Sequence, residues 1–237
     1  MLYTLKGPEY CAKERRLYMN LTTTEKYTIA VLGTQGKLSG LQRRERGLCL
    51  VASCVWDMIQ ANAVTADEKG KLMVFGPLPE PLSYCAPVYE MLAKKPRRPE
   101  RVVLDYRNTL TGKRIKALTE TIADNLIDKS VLVVERQSSL RKAKLCHVDT
   151  TVIAQDIAAV KHIDETVPQE QIMLAVLLLE SKAAKKLLSK KELSCLKKAL
   201  KQANSDFGHY IRHIKNMILA AEIAILVSIA AAASQAI

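Results

Sequence analysis

The stretch IKALTETIADNLIDKSVLVVERQ, residues 115–137, decides the fold. Ile115, Leu118, Ile122, Leu126 and Ile127 recur at helical spacing. The apolar period then becomes strand-like at Val131-Leu132-Val133-Val134, with only Asp128-Lys129-Ser130 between. A helix that turns so directly into a strand has little freedom in how it packs. Beyond Glu135 the chain turns basic: Arg136, Arg141, Lys142 and Lys144, with no acid from Arg136 to Val148. The unit reads as helix, tight turn, strand and a positively charged tip.

Working outward, the chain has 237 residues, enough for one large compact domain. Apolar residues make up 49% of it, while two Phe and one Trp leave the core mostly to Leu, Ile, Val and Ala. Nine Gly and eight Pro are few for this length and favour helices over sheets. The expected fold is mainly α: a single helical domain over 21–237, with a β-hairpin after a central helix and a basic irregular tail at 1–20.

The formal charge of +12 is concentrated. Residues 41–46, 94–116 and 136–144 together hold +13, and residues 185–201 a further +6, so the remainder is acidic. Such stretches favour phosphate-bearing partners, nucleic acid or anionic lipid, although any one of them also fits a solvated face. Cys11, Cys49, Cys54, Cys85, Cys146 and Cys195 form no CxxC pair. Charged residues from Lys6 to Arg16 interrupt the start, so no secretory leader is expected there. The cysteines read as reduced packing thiols of a cytosolic protein.

Leu21-Thr22-Thr23-Thr24-Glu25 reads as a capping segment before a short buried helix through Leu32, and Gly33-Thr34-Gln35-Gly36 as a turn. A second helix covers 47–61, with Leu48, Val51, Val55, Met58 and Ile59 inward. Val64 and Leu72–Phe75 form a candidate hairpin around Asp67-Glu68-Lys69-Gly70. A third helix ends before Pro96, and KKPRRPER, 94–101, reads as a linker. Two helical stretches broken near Thr111-Gly112 precede the central turn. Helices are expected at 152–165, 170–188 and 190–203, and from His209 to the end.

The ordered series LTTTEKYTIAVLGTQGKLSG, ASCVWDMIQANAV, LPEPLSYCAPVYEML and IADNLIDKSVLVVERQ resembles the Golgi phosphoprotein 3 family, over about residues 16–235. The resemblance implies a non-enzymatic adaptor on the cytosolic face of Golgi membranes. It would bind phosphatidylinositol 4-phosphate, hold cytosolic tails of Golgi glycosyltransferases, link them to the COPI coat and form homo-oligomers through the hairpin. The family's lipid pocket uses a Trp, an Arg on the second helix and an Arg pair before the hairpin. These positions fall at Gln42, Val51, Lys116 and Thr119, of which only Lys116 keeps its charge. Neighbouring bases offer substitutes, so the expected headgroup site is Lys116, Arg114, Lys113, Arg43, Arg44 and Arg46. The hairpin, with Leu140, Arg141, Lys142 and Lys144, would face the membrane.

No cofactor or metal site is expected. His209 and His213 share a helical spacing but lack a third ligand nearby. Cys146 and His147 are adjacent on a strand and point to opposite faces, so with Asp149 they make no nucleophile and base. Residues 217–237 carry one charge, Glu222, and are long enough to cross a bilayer. Their alanines favour a closing core helix. The alternative class is a winged-helix-like nucleic-acid-binding protein, since helix, turn, strand and basic hairpin describe that motif too. Against it stand Glu120, Asp124 and Asp128 along the helix that would enter a groove.

Overall fold

The computed structural model describes residues 21–42, 44–107, 112–135, 145–163, 167–202 and 216. The tail at 1–20, the hairpin tip at 136–144, His209, His213 and the apolar segment 217–237 lie outside the described residues.

Helix α1, Thr23–Leu32, begins at a reciprocal cap. Thr22 Oγ1 accepts from the Glu25 N–H at 3.3 Å, and Glu25 Oε2 accepts from the Thr22 N–H at 2.8 Å. Every residue of α1 except Lys26 is buried, so this helix runs through the core. Gly33, with φ 64°, ends it in a conformation that glycine adopts without steric cost. The chain then pairs as strand β1, Gln35–Lys37, where the sequence suggested only a turn. Helix α2, Arg44–Gln60, crosses α1. From Leu48 to Met58 its apolar residues are 2% exposed or less on all sides, well beyond the one face that its spacing showed.

Strands β2, Val64–Ala66, and β3, Leu72–Val74, form the expected hairpin with Val64 opposite Val74. Helix α3, Ala86–Lys94, comes next, then α4, Pro99–Arg107. Residues 94–101 are no free linker. Leu72 and Arg97 exchange backbone hydrogen bonds of 2.7 and 3.0 Å. Arg97 and Arg101 both pair with Asp105 on α4. Pro99 fits the first position of α4, where the missing N–H costs nothing. Proline and charge described the surface of this segment but not its tie to β3.

Helix α5, Lys113–Asp128, buries Leu118, Thr119, Ile122, Ala123 and Leu126. Ile127 falls outside that stripe and is 39% exposed. The turn after α5 has a definite geometry. Ser130 takes φ 59°, its N–H bonds Ile127 O at 2.8 Å, and the Val131 N–H reaches back to Leu126 O at 2.9 Å. This paired closure of a helix end aims the chain directly into strand β4, Leu132–Glu135. Strand β5, Leu145–Val148, lies between β4 and β1, antiparallel to both, with Gly36 opposite Cys146 and Val134 opposite the same residue.

Helices α6, Ala154–Lys161, and α7, Gln169–Glu180, complete the core, and Ile172–Leu178 of α7 are buried without a break. The helix expected to continue to 188 stops at Ser181, because Lys182 takes φ 61°, and resumes as α8, Ala184–Leu187. Helix α9, Lys190–Gln202, buries Leu196 and Leu200 and exposes its lysines, so this basic stretch is a solvated face. Ser189 and Glu192 cap it reciprocally, which holds the Glu192 carboxyl down at about 2. Cys49, Cys54, Cys85 and Cys146 are buried, as packing residues would be, and Cys195 is exposed. No helix among the described residues is long and apolar enough to cross a membrane.

Candidate membrane-facing site

Two buried carboxylates set the helices that carry the site. Glu25, fully buried on α1, accepts from Asn125 Nδ2 and pairs with Lys129 Nζ, both from the end of α5. Asp57 of α2 accepts from the N–H groups of Thr23 at 3.1 Å and Thr24 at 2.9 Å, and from Tyr84 Oη at 3.4 Å. It thereby satisfies free donors at the start of α1. Burial raises the Asp57 carboxyl to about 6, against the pull of its hydrogen bonds from Thr24 and Thr23. With α1 tied to both helices, the first turn of α5 meets the first turn of α2. A Cβ on Gly47 would stand only 3.0 Å from Ile115 Cγ1.

Gly112, with φ 60°, precedes α5, and no side chain caps its first turn, which holds no acid. Lys113 and Lys116 are exposed there. Free N–H groups and about half a positive charge at such a terminus suit an anion. Arg114 is also exposed, but its Nη1 donates to the Asp105 backbone oxygen at 3.0 Å, which turns it toward α4. Arg46 is half-buried on the other side of the contact. Its Nη1 reaches Gly40 O at 3.4 Å, and Tyr27 Oη bonds its carbonyl at 3.1 Å. Arg46 lines a cleft of about 310 Å³ with Lys37, Ser39 and Lys186. Lys186 belonged to a recognised basic stretch, whereas nothing in the sequence marked Lys37.

The site residues expected from the sequence thus divide. Lys113, Arg114, Lys116 and Arg46 come from two adjoining first turns. Arg43, the Arg44 side chain, Leu140, Arg141, Lys142 and Lys144 lie outside the described residues. Of the other carried-over positions, Gln42 is half-buried, Val51 is in the core, and Thr119 is buried with its Oγ1 donating to Ile115 O at 2.7 Å. Val51 and Thr119 therefore offer a headgroup nothing. A larger groove, about 490 Å³ between α5 and β4, is lined by Ile127, Val133, Glu120 and Asp124. Its acids have the wrong sign for a phosphate. Among the described residues no group of three His, Cys, Asp or Glu side chains is placed to hold a metal.

These features define a mainly helical domain with a small antiparallel sheet and paired basic helix starts at its surface. The model of the family described as Golgi phosphoprotein 3 (GPP34) matches residues 25–233, so the chain belongs to the Golgi phosphoprotein 3 family. That family comprises non-enzymatic, Golgi-associated adaptors that bind phosphoinositides. No curated protein matches the chain at a significant level.

Proposed function

We propose that this protein is a non-enzymatic adaptor that docks peripherally on the cytosolic face of Golgi membranes. It recognises phosphatidylinositol 4-phosphate, or an equivalent anionic headgroup, at the adjoining starts of α2 and α5. The observation that carries this reading is the Gly47–Ile115 contact, which sets Lys113 and Lys116 beside the turn that bears Arg46. The reading also counts Arg43, Arg44 and Arg114 as headgroup-binding residues, Arg114 on release of its bond to Asp105 O. The hairpin residues Leu140, Arg141, Lys142 and Lys144 add a second basic contact. Through the family, the reading extends to glycosyltransferase tails and the COPI coat as partners, to self-association, and to a domain beginning near residue 21 after a basic tail.

The test is flotation with vesicles of neutral lipid, of neutral lipid with phosphatidylserine, and of neutral lipid with phosphatidylinositol 4-phosphate. Combining Lys113→Ala with Lys116→Ala lowers partition into both anionic sets by about thirtyfold, since each basic charge near such a surface contributes about fivefold. Unchanged partition removes this site. Duplex DNA is the competing ligand, and tighter binding to DNA would restore the nucleic-acid reading. Geometry disfavours that outcome, because beyond Ala117 α5 exposes Asp124, Ile127 and Asp128.

A further inference from the structure

Large apolar side chains stand exposed at four described positions: Met73, Phe75, Ile127 and Val133. They form two pairs in opposite electrostatic settings. Ile127 and Val133 share their groove with Glu120 and Asp124. Met73 and Phe75 lie on the β2–β3 hairpin, beside the basic segment that Arg97 joins to β3. We propose that this hairpin is a further membrane contact, which seats Phe75 and Met73 in the interface of an anionic bilayer while the bases of its turn and of the segment paired with it meet the headgroups.

The exposure is built by the backbone. Leu72 is 3% exposed and points into the core, so alternation along the strand sends Met73 outward and, two residues on, Phe75, which is 72% exposed. The Phe75 N–H bonds Ala63 O at 3.0 Å, and Gly76 O accepts from Tyr89 Oη at 2.8 Å. The ring therefore projects from a segment pinned on both sides.

Charge selects the occupant. The Leu72–Arg97 pairing brings Lys94, Lys95 and Arg98 to this edge, all exposed or half-exposed and none in an ion pair with a described residue. Lys69 and Lys71 border the hairpin turn, where Asp67 is engaged by the N–H groups of Lys69 and Lys71. With the acids Asp67, Glu68, Glu90, Glu100 and Asp105 counted, residues 67–71 and 90–105 still hold +2. Exposed apolar side chains on a hairpin whose turn and paired segment carry lysines suit a bilayer better than a protein partner. Lysine is depleted in protein interfaces, whereas at a membrane its stem lies along apolar surface and its charge stays in water. This contact adds to the proposed headgroup site without depending on it.

The experiment uses the full chain and vesicles of phosphatidylcholine with phosphatidylserine, with and without brominated acyl chains. Phe75→Trp places a reporter at the tip, while Trp56, 2% exposed in the core, supplies a constant background. Its emission is expected to shift to the blue on binding and to be quenched by the brominated lipid. Phe75→Ser with Met73→Ser is expected to lower partition about tenfold or more, with an unchanged far-ultraviolet spectrum and melting temperature. Absence of quenching while the protein binds overturns the proposal and leaves the headgroup site standing. Quenching that persists when Lys113→Ala and Lys116→Ala have no effect supports this contact and removes the headgroup site. Loss of concentration-dependent self-association in the serine variant, with vesicle binding unaltered, assigns the surface to a second copy and overturns the proposal.

Discussion

Asp57 is the residue whose chemistry is most open to test. Its carboxylate completes the cap of a helix from a different element, yet burial dominates and raises its pKa from the ordinary 3.8 to about 6. A raised pKa means that the folded state holds the proton more tightly than the unfolded chain. The stability this contributes is fully present below about pH 4 and is lost as pH rises through about 6. The loss is about 3 kcal/mol at most, at about 1.4 kcal/mol for each pH unit of difference. Urea midpoints of wild type and Asp57→Asn between pH 4 and 7 check this. The wild-type advantage is expected to shrink across that range, and a constant difference would refute the assignment.

At the scale of elements, two glycines separate a close contact with backbone from one with a side chain. A Cβ on Gly36 would lie 2.5 Å from Leu32 O and 2.8 Å from Leu32 Cα. Gly36→Ala must push β1 off the end of α1, and the expected loss is about 1–3 kcal/mol. A Cβ on Gly47 would meet Ile115 Cγ1 at 3.0 Å, and that side chain can turn. Gly47→Ala also gains about 1 kcal/mol of helix propensity, so it should come out close to neutral. Thermal melts of the two variants decide the matter, and equal losses would show that α2 and α5 are packed as rigidly as α1 and β1.

For the whole molecule, electrostatic attraction and apolar insertion respond differently to salt. Raising ionic strength from 0.01 to 0.1 M shortens screening from about 30 to about 10 Å. Partition of wild type onto phosphatidylserine vesicles is therefore expected to fall at least tenfold across that range. The ratio of wild type to the Phe75→Ser, Met73→Ser variant should stay nearly constant, because ring burial carries no charge. Equal binding to neutral and anionic vesicles would reject the electrostatic part. The seven lysines of 185–201, all exposed on α8 and α9, widen the positive field, and of these Lys186 enters a described cleft.

The sequence by itself determined the parts whose causes lie within a few residues. The Thr22–Glu25 cap, the hairpin around Asp67–Gly70, and the passage from α5 through Ser130 into β4 all rest on local spacing and local hydrogen bonds. The ordered series of such pieces was enough to show the family. Tertiary structure alone decided the rest. Strand β1 exists because Gln35–Lys37 meets β5, far along the chain. Residues 94–101 are anchored because Leu72 pairs with Arg97, and Ile127 faces outward because other helices fix the rotation of α5. The candidate site divides in the same way. The basic residue types were legible, but the direction of Arg46 toward Gly40 and of Arg114 toward Asp105 was not. A hydrogen bond between distant segments leaves no period or composition in either one, and it forms only once the core has brought them together.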